Sequence, residues 1–287
     1  MTVWFVTGAS RGFGVEIVSQ ALAAGYQVVA IARHTDGILQ RFPEATGLLT
    51  VAADITDEAQ IGTAVETAIA RFGRIDVVVN NAGRGLLGAV EEATDAAARA
   101  VYDTNVFGTL NVLRAVLPTL RGQRAGRIIN VSSVGGFVGS AGWGIYASTK
   151  FAVEGFSEAL ADELAPLGIT VTLIEPGYFR TDFLDAALDH SEPTVIQDYV
   201  DTAGAMQAAA AKINHSQPGD PVKAAAAIVR VATVAEPPRR IQLGRDSFTA
   251  IANKLGCVAL EQRRWHDLAV STDYDGAANA SSPGPLA

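Results

Sequence analysis

The sequence predicts an α/β fold: a doubly wound, parallel seven-stranded sheet with helices on both faces. Three observations predict it. Short β-branched runs alternate with amphipathic helical patterns, which is the order a parallel sheet with crossover helices requires. The strand segments are apolar almost throughout, as strands buried on both faces are. A glycine-rich turn, TGASRGFG, follows the first strand directly and opens the first helix.

Taken in order, residues 3–7 form the first strand and 12–24 the first helix. QVVAIA, residues 27–32, is the second strand, and 48–53 the third. A helix is expected over 57–72, then a strand at 75–80 (IDVVVN). One long helical region covers 94–120. RIINVS, at 127–132, is the fifth strand, followed by a helix over 145–164. ITVTLI, at 169–174, is the sixth strand, and 240–243 a short seventh. A last helix runs from about 246 to 267. The segment 181–217 is Ala-rich and breaks the rhythm, and 271–287 has the composition of a poorly packed tail. No repeat and no Pro/Ser-rich linker divides the chain, so residues 1–270 are expected to be one domain, with 244–270 a helical C-terminal extension.

Composition narrows the function. The 287 residues carry a formal net charge of -8, which argues against nucleic acid and against a polybasic membrane anchor. No apolar run is long enough to span a bilayer, and MTVWFVTGAS lacks the basic start and small-residue cleavage site of a leader. Cys257 is the only cysteine, so no intramolecular disulfide can form, and a cytoplasmic location is expected. His34, His190, His215 and His266 are scattered without metal-ligand spacing, so no metal site is expected.

In TGASRGFG, Gly8 permits the tight turn, Gly12 lets the backbone approach a pyrophosphate, and Gly14 lets the helix pack close to the sheet. The helix N-terminus favours the anion. The pattern predicts a Rossmann-type dinucleotide site. At the end of the second strand, an acidic residue would hold a ribose 2′-hydroxyl; here Ala32 is followed by Arg33. With Arg11 in the glycine loop, two guanidiniums suit a 2′-phosphate, so NADP(H) is the expected cofactor.

GIYASTKFAVEGFSEAL starts at Gly144 and places Tyr146 and Lys150 four residues apart, on one helix face. The chain has six tyrosines and four lysines. A nearby ammonium lowers a tyrosine pKa from about 10, so this tyrosine can work as an acid or base. Ser133 ends the fifth strand, where a doubly wound sheet places its active site, and can donate to a substrate oxygen.

These residues resemble the short-chain dehydrogenase/reductase family, in its short-form subgroup. The ordered motifs cover about residues 3–181: TGASRGFG, Asp54 in ADIT, NNAG at 80–83, Asn105 in NVFG, the Ser133, Tyr146 and Lys150 positions, and PGYFRT at 176–181. The resemblance implies that Ser10, Arg11, Phe13, Ile55, Asn81, Ala82 and Gly83 join the glycines and Arg33 around the cofactor. It implies that Asp54 meets the adenine, and that Pro176, Gly177, Phe179 and Thr181 hold the carboxamide end. Lys150 would bind the nicotinamide ribose and lower the Tyr146 pKa. Tyr146 would protonate the carbonyl oxygen, Ser133 would polarise the carbonyl, and Asn105 would seat a relay water or satisfy a helix distortion.

Between Ser133 and Tyr146, Phe137 and Trp143 are candidates for an apolar substrate pocket, joined by Tyr178. The family places its substrate lid in the segment at 181–217, which here is apolar and poor in basic residues. A hydrophobic ketone or secondary alcohol fits it better than a phosphorylated substrate. The family often pairs subunits through the long helices that begin near 101 and 145, so a homodimer or a monomer is expected. The chain beyond 243 is expected to cover a second contact surface near the last strand. The rivals are a cofactor-binding sensor, which would be expected to lack the Tyr/Lys pair, and an NAD-linked dehydrogenase, against which Arg33 speaks.

Overall fold

In the computed structural model, residues 1–188 and 195–274 are described. Seven strands form one sheet: β1 (Val3–Thr7), β2 (Gln27–Ala32), β3 (Leu48–Ala52), β4 (Val77–Asn80), β5 (Gly126–Val131), β6 (Ile169–Pro176) and β7 (Arg240–Leu243). All neighbours pair in parallel, in the order β3-β2-β1-β4-β5-β6-β7. Strand order reverses beside β1, between β1 and β4. That switch point opens a crevice above the C-terminal strand ends, where such sheets bind ligands.

The helices in chain order are α1 (Gly12–Ala23), α2 (Asp36–Arg41), α3 (Glu58–Phe72), α4 (Asp95–Tyr102), α5 (Thr109–Gln123) and α6 (Gly144–Leu164). They continue as α7 (Phe183–Leu188), α8 (Ala205–Ile213), α9 (Pro221–Val231), α10 (Arg245–Arg264) and α11 (His266–Val270). One core packs α3 and α5 on one sheet face around Phe5, Ile31, Val78 and Ile128. The other packs α1 and α9 on the opposite face around Trp4, Val6, Val28 and Ile129. The alternation of inward residues along β1, Phe5 to one side and Trp4 and Val6 to the other, follows from the period of two.

Two expectations need correction. The long helix over 94–120 is interrupted by a π turn at Asp103–Gly108. Thr104 and Thr109 donate their hydroxyls back to the carbonyls of Ala100 and Asn105, absorbing the widened turn. The described residues of the segment at 181–217 are not irregular: they hold α7 and α8, with Gln197–Tyr199 and Val200–Gly204 as tighter and wider turns. The C-terminal extension starts against the end of the sheet, where Ser247 of α10 donates to the Glu175 carbonyl of β6. Only Ser247 and Ile251 of α10 are buried, and Leu255, Val258 and Leu260 face outward. Residues 275–287 of the expected tail, and His190, lie outside the described residues. No described helix is long and apolar enough to cross a membrane.

Candidate active site

A cleft of about 960 Å³ lies at the switch point. Its floor is the glycine turn. Gly8 and Gly12 have φ of +63° and +54°, a region that favours glycine. A Cβ on Gly8 would sit 2.8 Å from the Ala82 backbone, and one on Gly14 would overlap the Gly8 carbonyl oxygen. Gly14 therefore faces the packed side, not the cleft, as close helix–strand contact demands. Asn81 closes the turn from β4 by donating its side-chain amide to the carbonyls of Thr7 and Gly8, at 3.1 and 3.2 Å. The Thr7 hydroxyl accepts the N–H groups of Asn81 and Ala82. The first turn of α1 has no side-chain cap, so its N–H groups are free to meet an anion.

Ser10, Arg11 and Phe13 line the cleft beside these glycines. Arg33 lines it from the end of β2, and both Arg11 and Arg33 are exposed. Asp54 and Ile55 line the next wall, where Asp54 is fixed by accepting the backbone N–H and hydroxyl of Thr56. Pro176, Gly177, Phe179 and Thr181 form the opposite lip. Phe179 packs edge-on against Phe13, with ring centroids 5.0 Å apart. A glycine cradle under a helix start and a polar wall at Arg33 and Asp54 fit a nicotinamide dinucleotide.

At the inner end stand Ser133, Tyr146 and Lys150. Tyr146 and Lys150 come from successive turns of α6 and are 7% and 5% exposed. Lys150 Nζ donates to the Val131 carbonyl at 2.8 Å, and lies 5.9 Å from the Tyr146 ring centre. Ser133 accepts the Gly135 N–H at 3.0 Å, which leaves its own proton for another acceptor. The expected lowering of the Tyr146 pKa by Lys150 is not found in this state. Burial pushes the phenol up to about 12, opposed by the Ser133 hydroxyl and reinforced by Tyr178. Burial also brings Lys150 down to about 8. With its ammonium turned to Val131, Lys150 contributes less at the phenol than desolvation does.

This arrangement extends over the residues that a family model describes: residues 2–192 match the short chain dehydrogenase model. The chain belongs to the short-chain dehydrogenase family. A short-chain dehydrogenase of known structure from Streptomyces avermitilis is 38% identical, with a TM-score of 0.85 over 95% of this chain and 99% of that one. The 3-ketodihydrosphingosine reductase of Bacteroides thetaiotaomicron is 38% identical over 83% of this chain and 86% of its own length. The structure of ElxO with NADP bound is 25% identical, with a TM-score of 0.69 over 84% of this chain and 97% of that one.

Asn105 of this short-chain dehydrogenase sits in the π turn and does not line the cleft. Its side chain is fully engaged: it accepts the Arg84 N–H at 2.9 Å and donates to the Arg84 carbonyl and the Thr149 hydroxyl, both at 3.0 Å. Gly83 lies between it and Lys150; a Cβ there would be 3.3 Å from Asn105 Oδ1 and 3.6 Å from Lys150 Nζ. Phe137, expected in the substrate pocket, is displaced from it. Its ring lies under the Arg240 guanidinium, 5.7 Å away, because the turn at Val134–Gly136 carries it toward β7.

Trp143 and Tyr178 do line the cleft. Trp143, Tyr146 and Phe183 form an aromatic corner with centroids 5.4 to 6.4 Å apart. Phe183 and Leu184 of α7, with Met206 of α8, complete the wall and were not legible as site residues. Asp246 was missed as well. From the first turn of α10 it accepts the Tyr178 N–H at 2.7 Å and fills the space that a Cβ on Gly177 would need. No local signal joins residues 68 positions apart.

Proposed function

We propose that the protein is an NADP(H)-dependent ketoreductase of hydrophobic carbonyl compounds. The observation that carries this reading is the buried, protonated Tyr146 phenol facing Ser133 within an aromatic corner. The nicotinamide, when bound, supplies or accepts the hydride. Tyr146 gives its proton to the carbonyl oxygen of the substrate. Ser133 donates a hydrogen bond to the same oxygen and orients it. Lys150, charged below about pH 8, holds positive charge beside the phenol and anchors the cofactor ribose. Asn105 fixes the loop at Gly83–Arg84 against the catalytic helix, and its relay-water role stays part of the proposal. A 3-ketodihydrosphingosine reductase among the relatives supports a lipophilic ketone. A homodimer belongs to the same proposal, supported by the exposed Phe107 and Phe151 beside α5 and on α6.

Arg33 and Arg11 are read as the 2′-phosphate clamp. Arg33→Ala is expected to raise KM for NADPH by about 10-fold or more, the scale of one lost charge-assisted contact, and to leave NADH nearly unchanged. Initial rates with both cofactors check this, and an unchanged preference for NADPH would remove the assignment.

The pH behaviour follows from the two shifts. Tyr146, raised, stays protonated through neutral pH, and Lys150, lowered, loses its charge above about 8. Ketone reduction is expected to be fastest below pH 8 and to fall as Lys150 loses its charge, whereas alcohol oxidation, which needs the phenolate, is expected to rise only toward the Tyr146 midpoint near 12. Rates in both directions across this range give the test.

A further inference from the structure

Helix α6 carries a third buried polar residue on the face of Tyr146 and Lys150. Glu154 is one turn beyond Lys150 and 6% exposed. Positions i, i+4 and i+8 stack along one face, so Glu154 follows Lys150 on it; the two form no direct ion pair, Lys150 Nζ being turned to the Val131 carbonyl, and the carboxyl acts on the ammonium through space. It also reaches the turn that bears Ser133. A Cβ on Gly136 would overlap Ser132 Oγ and lie 3.2 Å from Glu154 Oε1, so Ser132 and Glu154 close around that glycine. Ser132 makes no hydrogen bond of standard geometry there, yet its hydroxyl is near enough to favour the ionised carboxyl.

The other groups facing Glu154 come from three elements. From β7, Arg240 lies 3.5 Å from Glu154 and 3.3 Å from Glu175, and pairs closely with Glu158. From β6, Glu175 is fully buried and accepts from Gln242 of β7. From α6 itself come Glu158 and Lys150. Three carboxyls share one guanidinium, so the cluster is short of positive charge. Burial pushes Glu154 up to about 7, and Glu175 and Glu158 push the same way. Burial lowers Lys150, and the Glu154 carboxylate opposes that loss.

We infer that Glu154 is a positioning residue of this active site: its carboxylate, held by Arg240, sustains the charge of Lys150 and braces the Ser132–Gly136 turn that presents Ser133. It touches neither substrate nor cofactor. The kinetic consequence rests on the ketoreductase reading; the electrostatic coupling does not.

The chain has only four lysines, so protein labelled at lysine ¹³Cε gives few enough signals to assign, Lys150 being the one lost in Lys150→Arg. In Glu154→Gln the Lys150 midpoint is expected to fall by about half a pH unit or more, the scale of one removed charge at helical i,i+4 distance. Glu154→Asp is expected to restore most of it. The alkaline limb of kcat/KM for ketone reduction should move with the NMR midpoint. An unmoved midpoint overturns the inference, even if the variant is less stable, because a merely structural role would not touch the titration. Should Glu154→Gln not fold, the native curve decides: a broadened titration with an added step near Glu154's own midpoint supports the coupling, and a single sharp step overturns it. A shifted midpoint in a protein that reduces no ketone supports the coupling and counts against the ketoreductase reading alone.

Discussion

Tyr146→Phe is expected to lower ketone turnover by about 10²- to 10⁴-fold, the contribution of a positioned general acid, while NADPH still binds. The phenol stands at the inner end of the cleft beside Ser133 and is protonated at neutral pH. Its ring is held between Trp143 and Phe183, and phenylalanine keeps those contacts. The fold and the glycine cradle are therefore left intact, and the loss falls on kcat. Stopped-flow or steady-state absorbance at the nicotinamide band, with NADPH fluorescence titration as the binding control, separates the two. Retained turnover would displace Tyr146 from its role.

Gly14→Ala is expected to produce the second large effect, on folding and cofactor affinity together. The added Cβ would overlap the Gly8 carbonyl oxygen and lie 2.7 Å from the Asn81 amide nitrogen. Both obstacles are tied down, since Asn81 is bonded to the Thr7 and Gly8 carbonyls. Relief requires α1 to move off the sheet, opening the packing of Ile17 and Val18 against the core. Overpacking of this kind costs about 1–3 kcal/mol and more where backbone must shift. A thermal midpoint several degrees lower, with NADPH binding lost, is the expected result; native stability with native affinity would contradict it. Gly12→Ala is the milder control, because its Cβ would meet only Thr181 at 3.5 Å, though its positive φ still carries strain.

The strands were legible because fully buried parallel strands are written as uninterrupted apolar runs, and β1, β2 and β6 are buried nearly throughout. The glycine turn and the Tyr146–Lys150 spacing were legible because each is local, compressed into eight or five residues. Helix α9 was overlooked although it carries its own start signal, Asp220 capping Val222 and Lys223 with Pro221 in the first turn. Helix α2 spans six residues and buries only Ile38, too little for a period to emerge. The π turn left no period in the sequence; only the reading of Asn105 as satisfying a helix distortion pointed to it, and its ties to Arg84 and Thr149 agree with that reading. What remained hidden was long-range. Asp246 under Tyr178, Arg240 over Phe137 and beside Glu154, and Met206 in the cleft all depend on how β7, α8 and α10 return to the site. The pKa of Tyr146 was misjudged for the same reason: spacing reveals that a lysine is near, whereas depth of burial is set by α7 closing over the corner.

The central claim is that the cleft uses NADPH to reduce hydrophobic ketones. The most direct measurement follows nicotinamide absorbance with purified protein, NADPH or NADH, and a graded series of aliphatic and aromatic ketones. The account predicts NADPH consumption clearly above NADH, a rate that rises with apolar surface on the ketone, and its loss in Tyr146→Phe. Tight NADPH binding without consumption across the series, or equal turnover with NADH, would contradict it.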